Sequence, residues 1–190
     1  MEIFIAGLVL FLGLHSVRIF AEGWRTRTIA SIGALPWKGI YSVLSIAGFV
    51  LLVWGYGMTR AAPALWYPPV WTKHITILLV LVSFILLAAA YVPGNGIKAR
   101  VGHPMILGVK VWALAHLLSN GRLGDVLLFG AFLLWAVLDF KAARGRDKAA
   151  GTTYPSLGAG RTAAAIALGV VAYLVFMMFL HTRLIGVRPY

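Results

Sequence analysis

Hydrophobic and polar positions alternate along this chain in blocks rather than in short periods. Long apolar runs are separated by short stretches that hold most of the charge. The first run is Ile3–Phe20, closed by Arg18 and Glu22, and a polar amphipathic connection, Ala21–Lys38, follows. The second run is Gly39–Gly57. The next connection, Met58–Lys73, carries Pro63, Trp66, Pro68, Pro69 and Trp71 and reads as an interfacial aromatic belt. The third run, Ile75–Val92, stops at Pro93-Gly94-Asn95-Gly96, a strong turn signal. The fourth is His103–Ser119, stopped by Asn120-Gly121, and the fifth is Leu123–Phe140. A basic loop, Lys141–Arg161, leads to the sixth, Thr162–Leu184. Runs of ~20 apolar residues match the ~30 Å hydrocarbon thickness of a bilayer. The pattern predicts an all-α, polytopic transmembrane helical bundle of about six spans. No internal repeat at a fixed period is visible.

Composition narrows this further. The chain has 190 residues, of which 61% are hydrophobic and 12% charged. About six spans leave only short loops and no room for a soluble domain, so the expectation is one membrane domain over residues 1–190. The first run lacks a basic leader and a cleavage site, which predicts a retained span rather than a signal peptide. There is no cysteine. Disulfides, thiolate nucleophiles, iron–sulfur clusters and cysteine zinc sites are thereby excluded.

A net charge of +12 invites a nucleic-acid reading. The placement of the charge argues against it, because Lys and Arg lie between the apolar runs, as the positive-inside rule requires. Eleven of them (Arg18, Arg25, Arg27, Lys38, Lys98, Arg100, Lys141, Arg144, Arg146, Lys148, Arg161) fall in the odd-numbered connections. Five (Arg60, Lys73, Arg122, Arg183, Arg188) fall in the even ones and the C-terminal tail. The asymmetry predicts odd connections in the cytoplasm and both termini outside, in the periplasm of a Gram-negative cell. Lys110 lies inside the fourth run and needs a partner there: a haem propionate, Asp139 or Asp125, or a snorkelling path to the interface.

All five histidines, His15, His74, His103, His116 and His181, lie in or at the ends of apolar runs. Ionisable groups in a membrane are costly and mark functional positions, although interhelical hydrogen bonding is a plainer use for any one of them. Gly7, Phe11, His15 and Arg18 follow at helical steps on one face. Pro104, Gly108, Trp112, His116 and Asn120 do the same in the fourth run. Glycine on such a face admits a flat cofactor or a neighbouring helix equally well. His103 and His116 are about 220° apart around a helix and ~20 Å apart along it, so one straight helix cannot bring both to one metal. Side chains lean toward their own helix N-terminus, so on antiparallel spans His15 and His116 converge in depth. Two imidazoles across a flat ring form a bis-histidine haem arrangement. His74, His116 and His181, all toward the outer side, are the competing set for a first-row metal. His103, before Pro104, suits an interfacial helix start.

His15 with Arg18, the run Gly102-His103-Pro104 through Gly108, Trp112 and Ala115-His116-Leu117 to Asn120-Gly121, and the terminal His181…Leu184-Ile185-Gly186-Val187…Pro189 together resemble the NnrU family over nearly the whole chain. The resemblance implies a single integral membrane domain in the bacterial inner membrane, linked to denitrification and nitric oxide metabolism. A related plant enzyme, zeta-carotene isomerase, is similar at the same blocks. It implies haem b as cofactor, His15 and His116 as its ligands, and isomerisation of a cis bond in an apolar polyene. A remoter likeness joins His103-Pro104 to the isoprenylcysteine methyltransferases, which use S-adenosylmethionine. Here Gly102 stands where that motif has arginine.

Four functions follow as alternatives: a haem b protein of the NnrU type, a haem-dependent polyene isomerase, a methyltransferase relative, and a non-catalytic assembly partner of a respiratory or denitrification enzyme. The expected cofactor-binding residues are His15, His116, Trp112, Gly108, Arg18 and Lys110, with His15 and His116 on the iron.

Overall fold

The computed structural model describes residues 1–189. It is helical throughout: no strand forms among the described residues, and Ala64 and Arg122 make an isolated antiparallel bridge. The helices are α1 (Glu2–Phe20), α2 (Glu22–Ile32), α3 (Ala34–Met58), α4 (Trp71–Tyr91), α5 (Gly96–Val101), α6 (Pro104–Ser119), α7 (Leu123–Ala150), α8 (Ala159–Val175) and α9 (His181–Ile185). A π-helical turn, Phe176–Leu180, joins α8 to α9. Five helices are long and apolar enough to cross a membrane: Glu2–Phe20, Ala34–Ala61, Trp71–Tyr91, Leu123–Ala150 and Ala159–Ile185.

Three expectations change. The fourth run forms a helix of 16 residues, ~24 Å long and thus short for a full crossing. Its limits are set by Gly102, in the left-handed region at φ 74°, and by Asn120, which is extended at φ −130° and ψ 120°. The basic segment Lys141–Arg161 is not a loop in its first half, because α7 continues to Ala150. Hydropathy ends at Phe140, but Lys141–Ala150 is rich in Ala, Lys and Arg, all strong helix formers. The connection Ala21–Lys38 is likewise mostly helical. Glu22 meets Arg25 at 3.0 Å and Arg18 at 3.8 Å in α2, and Gly33, at φ 90°, separates it from α3.

The chain forms two compact units, Met1–Leu65 with Arg122–Leu128, and Trp66–Gly121 with Phe129–Tyr190. In the first, α1 packs on α3 through glycine. A Cβ on Gly7 would run into the Leu52 backbone, one on Gly55 into the Phe4 backbone, and one on Gly48 would come 3.0 Å from the Phe11 nitrogen. Such small-residue contacts let apolar helices approach without a hydrophobic driving force from water. The Tyr56 hydroxyl donates to Asp125 at 2.6 Å, which ties α3 to the start of α7.

In the second unit, α4 is the central element. Ser83, buried, donates to the Gly108 carbonyl at 2.8 Å, and Thr76 donates to the Ala115 carbonyl at 2.8 Å. Both hydroxyls give α6 polar contacts at positions where lipid offers none. On the other side of α4, Gly169 of α8 packs against the backbone of Ile85. Val80, Ala115 and Tyr173 form a buried core among these three helices. Asn95, fully buried, caps α5 by accepting from the Lys98 amide and donates to the Ala89 and Val92 carbonyls.

Candidate functional site

His15 is half-buried in the C-terminal part of α1. Its Nδ1 lies 2.7 Å from the Phe11 carbonyl oxygen. A carbonyl only accepts, so Nδ1 is the donor. Phe11 lies 4.3 Å from the His15 ring and Tyr41 5.5 Å, with Trp37 next to Tyr41 at 6.3 Å. Arg18, one turn on, is exposed and lies 3.8 Å from Glu22.

His116 repeats this geometry in the second unit. Its Nδ1 donates to the Trp112 carbonyl at 2.9 Å. The ring stacks on Phe129 at 4.6 Å and 25°. Trp112 meets Phe129 and Phe132 edge-on at 5.0 and 5.6 Å. The Asn120 side chain donates to the His116 carbonyl, closing the helix end. The residues of the expected stripe differ in use. Trp112, His116 and Asn120 interact with one another, whereas Gly108 admits α4: a Cβ there would come 3.2 Å from the Ser83 carbonyl.

His103 stands at the N-cap position of α6 with no capping bond from its side chain. Its ring turns instead to α7, where Nε2 lies 2.8 Å from Asp147 Oδ2. The Tyr154 hydroxyl donates to both Asp147 oxygens at 3.1 Å. The ring edges of Phe140 and Tyr154 stand 6.3 and 5.8 Å away. Asp147 and Tyr154 were not singled out from sequence. The available signal was that Asp147 is one of only five acidic residues and lies in the most basic segment. Gly102 has the positive φ that an arginine would strain to adopt, and its Cβ position lies 3.3 Å from the Tyr154 ring. The departure from the methyltransferase motif thus has a local structural reason.

The Lys110 Nζ stands 5.6 Å from the Phe140 ring centre. That is a cation–π contact, reached by leaning toward the start of α6. Asp139 lies 3.8 Å from Arg146. The competing metal set is not assembled: among the described residues no three His, Asp or Glu side chains gather to hold an ion. His74 is exposed in the first turn of α4. His181 follows the π turn, donates from Nδ1 to the Val187 carbonyl at 2.8 Å and meets Phe176 edge-on.

Long apolar helices joined through buried glycine, serine and threonine define a helical integral membrane protein. The chain belongs to the NnrU family, whose model, described as NnrU protein, matches residues 3–189. No curated protein and no solved structure gives a significant match.

Proposed function

We propose that this protein binds one haem b within the bilayer, with His15 and His116 as the two axial ligands, and that it serves the nitrogen-oxide metabolism implied by its family resemblance. The observation that carries the reading is the shared state of the two rings. Each Nδ1–H is held by the carbonyl four residues earlier, at 2.7 Å for His15 and 2.9 Å for His116. A second hydrogen bond of this kind is what orients an imidazole ligand, fixes its tautomer and raises the basicity of the coordinating nitrogen.

The surroundings suit the same purpose. Phe11 and Tyr41 flank His15, and Phe129 and Trp112 flank His116, so each ring lies among flat aromatic groups. Arg18 and Lys110 are the proposed cations for the haem propionates. When bound, the group supplies one-electron redox chemistry, its potential tuned by axial ligation and burial. His15 and His116 would supply the two nitrogen donors, and Arg18 and Lys110 the two cations.

The test is the visible spectrum, oxidised and dithionite-reduced, of detergent-purified protein made in haem-replete cells. The expected result is a low-spin, six-coordinate haem b spectrum near one haem per chain. A colourless protein contradicts the proposal.

A further inference from the structure

The C-terminal part of α7 carries a second surface, independent of the haem reading. α7 has 28 residues, ~42 Å of helix, of which Leu123–Phe140 accounts for ~27 Å, close to the hydrocarbon thickness. The remaining turns, from Lys141 on, therefore lie in the headgroup region and just beyond it. Lys141, Arg144 and Lys148 are all exposed, and their spacing of three and four residues places them in one stripe. Arg100, exposed at the end of α5, belongs to the same unit, and the Arg144 guanidinium reaches the α5–α6 junction, 3.6 Å from the Cβ position of Gly102.

Both acidic residues of this segment have partners. Asp147 accepts from His103 and Tyr154, and Asp139 lies against Arg146. Ala143, between them in the sequence, is buried. These are the only acidic residues from 126 onward. Both carboxylates have partners in the same unit, and the stripe holds three cations against these two acidic residues.

We propose that Lys141, Arg144 and Lys148, with Arg100 beside them, form a binding surface for anionic phospholipid headgroups of the leaflet through which α7 emerges. The depth favours lipid over a soluble partner: the stripe starts at the hydrocarbon boundary and runs through the zone that lipid phosphates occupy. Clusters of Lys and Arg immediately beyond a membrane helix draw anionic lipid by short-range, salt-sensitive attraction.

The experiment uses the full chain reconstituted in phosphatidylcholine vesicles. Spin-labelled phosphatidylglycerol and spin-labelled phosphatidylcholine are compared for the fraction immobilised at the protein. The expected result is a several-fold preference for phosphatidylglycerol at low salt that falls toward unity in molar salt. Lys141→Gln, Arg144→Gln and Lys148→Gln combined should remove most of the preference without changing the thermal midpoint, because all three side chains are exposed. Arg60→Gln, Arg183→Gln and Arg188→Gln combined should retain it. A wild type without preference, or a preference that survives in the α7 triple variant, overturns the proposal. So does a stripe that ignores phosphatidylglycerol yet binds polyglutamate in a manner lost in the same variant, which would make it a protein-docking surface.

Discussion

His103 Nε2 and Asp147 Oδ2 stand 2.8 Å apart, joining the first turn of α6 to the last turns of α7 across 44 positions of sequence. The pair is largely shielded, at 20% and 19% side-chain exposure, and Tyr154 holds the carboxylate from a third segment. A hydrogen bond to a charged group in this setting contributes ~1.5–3 kcal/mol. Asp147→Asn should lower the thermal midpoint of the detergent-solubilised protein, and Asp147→Ala should lower it more. Tyr154→Phe should have the smallest effect, because His103 still holds the carboxylate. Midpoints equal to the wild type's in all three variants would show that the cluster does not hold α6 and α7 together.

The charge asymmetry of eleven to five predicts that the His103–Asp147 end of these helices lies in the cytoplasm and that both termini lie outside. A C-terminal alkaline phosphatase fusion should be active and a C-terminal green fluorescent protein fusion dark. The opposite pair of results would invert the topology. It would also leave the lipid-facing stripe of α7 on the outer leaflet.

Lys110 sits where an uncompensated ammonium costs ~3 kcal/mol. Its contact with Phe140 offsets part of this, about 0.5–2 kcal/mol for a cation over a ring. If its second role is to meet a haem propionate, Lys110→Met should insert normally but lose haem during purification, and Lys110→Arg should retain it. Unchanged haem content in Lys110→Met would confine the residue to its contact with Phe140.

The membrane character of the chain was legible because it rests on local composition. Runs such as Ile3–Phe20 and Ile75–Val92 match α1 and α4 closely. Helix ends were less legible where hydropathy and helix propensity part company. Beyond Phe140 the residues turn charged but remain good helix formers, so α7 outruns its apolar run by ten residues, from Lys141 to Ala150. The stripe of Trp112, His116 and Asn120 was readable from spacing alone. The partner of His103 was not, because nothing local links a histidine before Pro104 to an aspartate 44 residues on. The use of Gly108 was open for a similar reason, since the approach of Ser83 and Leu87 of α4 depends on tertiary packing.

Spectra of single-histidine variants made in haem-replete cells test most directly whether His15 and His116 hold the iron. His15→Ala and His116→Ala should each abolish the Soret and alpha bands or convert them from the low-spin, six-coordinate form. His74→Ala, His103→Ala and His181→Ala should leave those bands largely intact. A thermal scan of each variant separates loss of haem from loss of fold. The account is contradicted if His15→Ala or His116→Ala, still folded, keeps the wild-type spectrum, or if His103→Ala or His181→Ala, still folded, is the variant that loses it.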